Sequence, residues 1–135
     1  MFRTLSRAAG ATAALALVAA AASAQHRSEI RFEAGGTDAY VEGSIAGQAY
    51  RDYALTASAG QTLSVTLINL GGATSFFNIL PPGSDGAAIY NGSVEGEMAT
   101  ITLPEDGSYV VRVYLMGEAR DADGAADYGL SVTIL

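Results

Sequence analysis

The side chains able to do chemistry are few, and their spacing narrows what that chemistry could be. Asp121-Ala122-Asp123-Gly124-Ala125-Ala126-Asp127 begins D-x-D-G, the order in which a calcium loop gathers carboxylate oxygens around a turn. An EF-hand would also need a third ligand where Ala125 stands, a bidentate glutamate at the twelfth position and flanking helices. Asp121, Asp123 and Asp127 are thus an incomplete metal site, read against a plain solvated acidic loop. His26 is the only histidine, and cysteine and lysine are absent. Ser-His-Asp triads, cysteine nucleophiles, histidine-based zinc sites and lysine chemistry therefore lack their parts. Two carboxylates held roughly 5 to 10 Å apart could cleave a glycosidic bond. The fourteen acids, however, sit mostly at turns and strand ends, where solubility accounts for them. Neither enzymatic activity nor a cofactor is expected. Asn91-Gly92-Ser93 matches a glycosylation sequon, a weak signal in an exported chain of unspecified host.

Binding remains. The polar connection Met116–Ala126 carries Glu118, Arg120, Asp121 and Asp123 together between two strongly patterned segments, and loops held on a rigid scaffold are where recognition concentrates. The Arg120 guanidinium could fork onto a carboxylate of another protein; the alternative is a surface ion pair with Glu118, Asp121 or Asp123. Tyr40 and Tyr50 fall on the parity opposite to the expected core, which makes them candidate contact aromatics.

The elements that must hold these residues are strands. Leu63, Val65 and Leu67 alternate with Thr62, Ser64 and Thr66; Tyr109, Val111, Val113 and Leu115 alternate with their neighbours; so do Tyr128, Leu130, Val132 and Ile134. Less regular candidates are 30–34, 39–46, 49–58, 75–80, 87–90 and 98–103, and no segment reads as a helix. Ala59-Gly60 suits a hairpin, Asn91-Gly92 a turn with positive φ, Pro104-Glu105-Asp106-Gly107 a turn preset by proline, and Pro81-Pro82-Gly83 a strand end. About eight or nine short strands predict an all-β fold, a single antiparallel Greek-key-like β-sandwich in preference to a closed barrel. Tyr109, after Asp106-Gly107-Ser108, would be a tyrosine corner or simply a core aromatic. The expected core is Phe32, Val41, Ile45, Tyr53, Leu55, Leu63, Val65, Leu67, Ile101, Leu103, Val111, Val113, Leu130, Val132 and Ile134.

Residues 1–24 read as a cleavable signal peptide: Arg3 and Arg7 give a basic start, Ala11 to Ala22 an apolar stretch, and Ala22-Ser23-Ala24 a small-residue cut site. Of 135 residues, 111 then remain as one domain, 25–135, with five arginines against fourteen acids, a charge of −9. Nucleic acid is excluded as a partner, since phosphate binding needs clustered cations. No remaining apolar run is long enough to span a bilayer, and the expected location is the periplasm or outside the cell. His26, just past the cut, is expected in a frayed segment.

Four stretches together resemble a known family: Tyr53–Leu63 (YALTASAGQTL), Phe77–Ser84 (FNILPPGS), Gly107–Met116 (GSYVVRVYLM) and Ala126–Val132 (ADYGLSV). They are similar to the bacterial periplasmic inhibitors of goose-type (g-type) lysozyme, and the first and third are shared with pre-peptidase C-terminal domains. The resemblance implies a β-sandwich that blocks the substrate cleft of a g-type lysozyme with loop side chains. It implies contact through a tyrosine on an early strand and arginines after the RVYLM strand. The matching positions are Tyr40 and the loop Gly117, Glu118, Arg120 and Asp121; Gly117 and Asp121 stand where the family tends to carry arginine. The contrasting expectation is a pre-peptidase-like module binding glycan, with Tyr40 and Tyr50 stacked on sugar rings, or calcium. Either would be a monomer or a weak homodimer.

Overall fold

In β4 (Thr62–Gly72) as far as Leu67, and along β8 (Gly107–Tyr114) and β9 (Ala125–Ile134), every second side chain is apolar and turned into the core, while Val110 on the other face of β8 is also buried, against Ala54 and Leu80. The computed structural model describes residues 26–135; the expected signal peptide, 1–24, lies outside the described residues. The remaining elements are β1 (His26–Glu29), β2 (Asp38–Ala46), β3 (Arg51–Ala57), β5 (Phe76–Leu80), β6 (Tyr90–Asn91), the single-turn helix α1 (Gly92–Glu95), β7 (Met98–Thr102) and a second short helix, α2 (Gly117–Asp121). Two sheets face each other, one ordered β1-β3-β8-β5-β6 and the other β2-β9-β4-β7. The expected sandwich is what the chain forms, with nine strands.

Besides the Ala59-Gly60 turn, which links β3 of one sheet to β4 of the other and so closes no hairpin, three expectations need correction. First, 30–34 is not a strand. The edge strand precedes it, and His26, expected in a frayed segment, pairs with Arg51 in a parallel β1–β3 ladder, the exception to antiparallel pairing. Second, two helical turns exist where none was read. In α1 the Asn91 side chain accepts the Ser93 N–H at 3.2 Å, and the Glu95 carboxylate accepts the Asn91 N–H at 2.9 Å. Such reciprocal capping stabilises one turn without hydrophobic periodicity. Third, Gly92 does not take a positive φ. It is required because a Cβ there would stand 2.1 Å from the Phe77 carbonyl oxygen.

The space between the sheets is filled by Leu55, Leu63, Val65, Val111, Val113, Leu130 and Val132, as expected. Phe32, Val41, Ile101 and Ile134 are only partly buried at its margin. Phe77, Ile79, Tyr90 and Tyr128, which are outside the expected list, also belong to this core, as does Tyr109. Tyr109 is both core aromatic and tyrosine corner: its hydroxyl donates to the Glu105 carbonyl at 2.5 Å and accepts the Glu105 N–H at 3.1 Å. This ties the β7–β8 turn onto the start of β8, at the end of the strand opposite the β8–β9 connection.

Candidate partner-binding end and outer sheet face

Leu115, buried just beyond β8, fixes the point at which the chain leaves the first sheet. Met116 is extended, Gly117 takes φ 60°, and α2 follows for a single turn closed by the Ala122 N–H on the Glu118 carbonyl at 2.8 Å. Asp123, at φ 56°, turns the chain back. The Gly124 N–H then bonds the Ala119 carbonyl at 2.7 Å, and the Gly47 N–H bonds the Gly124 carbonyl at 2.8 Å. A Cβ on Gly124 would stand 2.9 Å from the Ala119 carbonyl oxygen, so glycine is what lets α2 sit down on the sandwich. The segment expected as an open loop is instead a clamped turn.

Its outward residues are Met116, Gly117, Glu118, Arg120 and Asp121, all exposed. The ion pair formed among the described residues is Arg112–Asp52, not one of Arg120 with its acidic neighbours. The Arg120 guanidinium is thus available to an external carboxylate. Arg120 lines a cleft of about 350 Å³ with Tyr50, Tyr114 and Met116. On the other side, Met116, Gly117 and Ala119 line an open cleft of about 660 Å³ with Phe76 and Val94.

Tyr50 is held in place. Its ring lies over the Arg112 guanidinium, 4.1 Å from centroid to Cζ. Arg112 in turn forks onto Asp52, Nε to Oδ1 at 2.8 Å and Nη2 to Oδ2 at 3.0 Å. These bonds raise the Arg112 pKa above its ordinary value, partial burial opposing them. Phe76 and Tyr114, ring centroids 6.2 Å apart, complete the aromatic surround. Met116 opens the connection already expected to bind; Tyr114, Phe76 and Val94 were not singled out in the sequence, and the available signal was their place on the polar parity of β8 and β5 or in the α1 turn.

Tyr40 is elsewhere. It lies on the outer face of the second sheet, opposite Ser131, six residues along β2 from Ala46, where the strand meets the α2 clamp. At about 3.4 Å per residue that is ~20 Å away. Tyr40 and Tyr50 therefore do not form a paired stacking groove, because β2 and β3 belong to different sheets. Nor do Asp121, Asp123 and Asp127 converge. Asp121 closes α2, Asp123 lies against Gly47, and Asp127 Oδ1 accepts the Ser44 hydroxyl at 2.6 Å. Among the described residues no group of three or more His, Cys, Asp or Glu could hold a metal ion. The calcium loop is not assembled.

No protein-family model matches the chain, and no curated protein matches its sequence. Solved structures do. Aeromonas hydrophila PliG, a periplasmic lysozyme inhibitor of g-type lysozyme, is 27% identical with a TM-score of 0.75, the match covering 82% of this chain and 97% of that one. A mutant of PliG from Escherichia coli, also a periplasmic inhibitor of g-type lysozyme, is 24% identical with a TM-score of 0.66, over 83% of this chain and 100% of that one. The pre-peptidase C-terminal domain of a Bacillus anthracis collagenase is 17% identical with a TM-score of 0.58, over 81% and 94%. The last two similarities show a common fold. The resemblance read from the sequence is borne out: the chain is similar in structure to PliG lysozyme inhibitors and to a pre-peptidase domain.

Proposed function

We propose that this chain is a periplasmic inhibitor of a g-type lysozyme, exported by its first 24 residues, which presents the α2 end of its sandwich to the enzyme's substrate cleft. The observation that carries this reading is the likeness to Aeromonas hydrophila PliG over 97% of that protein. The α2 end supports it. An inhibitor gains by presenting side chains already fixed before contact, and the backbone bonds at Gly124 and Gly47 fix this turn. In the proposed contact Arg120 forks onto a carboxylate in the lysozyme cleft, Gly117 lets the chain approach closely, and Glu118 and Asp121 set the polar rim. Tyr50, rather than Tyr40, is the neighbouring aromatic.

The test is titration of the protein, expressed from the 135-residue sequence and purified after export, into a g-type lysozyme turnover assay. Turnover should fall at near-equimolar ratios; full turnover in large excess of the protein would overturn the reading. Arg120→Ala should weaken inhibition about tenfold or more while leaving Tm unchanged, because an exposed guanidinium contributes little to folding. Undiminished inhibition by that variant would remove α2 from the contact.

A further inference from the structure

On the outer face of the second sheet, Tyr40 is 52% exposed, yet its ring does not stand free. It lies across Gly129 on the neighbouring strand: a Cβ there would be 2.2 Å from the tyrosine Oη, 2.8 Å from Cζ and 2.9 Å from Cε1. Its hydroxyl donates to Glu42 Oε2 at 2.9 Å. The ring is thus fixed beneath by glycine backbone and at its tip by a carboxylate, with its other side open to solvent. Glu42, Ser44, Asp127 and Leu70 continue from it as an open groove of about 440 Å³. Asp127 is held by the Ser44 hydroxyl through Oδ1. Each carboxylate therefore has one oxygen engaged, while its second oxygen accepts no hydrogen bond among the described residues.

We infer that this face binds a neutral hexopyranose oligosaccharide, with one sugar ring stacked on Tyr40 and hydroxyls of the chain donating to Glu42 and Asp127. An aromatic face carries negative charge density and attracts the weakly positive C–H groups of a pyranose. The ring's position is already fixed, so little entropy is lost on binding. Fixed carboxylates accept hydroxyl donors strongly and repel an acidic sugar, which selects a neutral one. Residues 40, 42 and 44 alternate onto one face and span about 13 Å along β2, a length suited to an oligosaccharide. The site is distinct from the α2 end and does not depend on lysozyme inhibition.

The experiment follows backbone amide NMR shifts of the exported protein during titration with chitotetraose, cellotetraose and tetragalacturonate. A neutral tetrasaccharide should move the amides of residues 40–44 and 127–131 saturably, with a millimolar or tighter Kd. Tyr40→Ala should weaken binding at least about tenfold, and Tyr40→Phe, which keeps the ring over Gly129, by less than about threefold. The proposal falls if both neutral sugars leave these amides unmoved at 10 mM, roughly the weak limit of such affinities. It falls equally if Tyr40→Ala binds as well as the parent, if the shifts map to α2, or if tetragalacturonate binds as tightly. Tyr40 is exposed, so the alanine variant should keep the fold, which the spectrum itself reports.

Discussion

Tyr53 and Tyr128 meet across the core with their hydroxyls 2.6 Å apart and their rings edge to face, 6.4 Å between centroids. They fit because position 43 is glycine: a Cβ there would be 2.5 Å from the Tyr128 hydroxyl and 3.0 Å from that of Tyr53. Tyr128→Phe leaves the Tyr53 hydroxyl buried without this partner and should cost about 1–2 kcal/mol in urea unfolding. The double variant with Tyr53→Phe should lose less than the two single changes together, because it leaves no orphaned hydroxyl. Burial, then the Tyr53 hydrogen bond, raise the Tyr128 pKa well above the ordinary 10.0. In the unfolded chain the phenol ionises near 10 while in the folded chain it keeps its proton, so the unfolded state binds fewer protons and stability falls as pH rises past 10. Below 10 the contribution is complete. Unfolding followed from pH 8 to 11 should show this decline in the parent and a shallower one in Tyr128→Phe; equal slopes would contradict the assignment.

At the scale of elements, Gly92 joins α1 to β5 so closely that any side chain must displace the Phe77 carbonyl. Gly92→Ala should therefore cost about 2 kcal/mol or more by chemical denaturation, whereas relief of glycine's flexibility alone would stabilise slightly; an unchanged midpoint would refute the close packing. That junction also marks what a sequence can reveal. β4, β8 and β9 were legible because apolar side chains recur at every second position over most of their length and mark the side turned to the core. β6 has two residues, too few for any period, and α1 and α2 are single turns defined by caps and backbone bonds. β1 pairs parallel to β3, a choice made by tertiary contact. The α2 segment was visible as a charged, turn-rich connection. That Tyr50 borders it and Tyr40 does not was hidden, because the β2–β3 turn carries the chain from one sheet to the other and so separates two tyrosines that are close in sequence.

For the whole molecule, charge supplies the remaining lever. Residues 26–135 hold five arginines and fourteen acids, and Arg112 is committed to Asp52. Such an excess creates a long-range field that draws a basic partner in but contributes little once the surfaces are in contact, where salt screens less effectively. If a basic g-type lysozyme is the partner, salt should therefore act chiefly on association. Raising ionic strength from about 0.01 M to 0.15 M shortens the screening length from about 30 Å to 8 Å. The association rate constant measured by stopped flow should drop roughly tenfold across that range, with dissociation changed much less. Arg120→Ala should show the complementary pattern, faster dissociation with an association rate little altered, because it removes a contact and makes the field slightly more acidic. A salt effect confined to dissociation would mean that the acidic surface is part of the contact itself, and steering would then have no role.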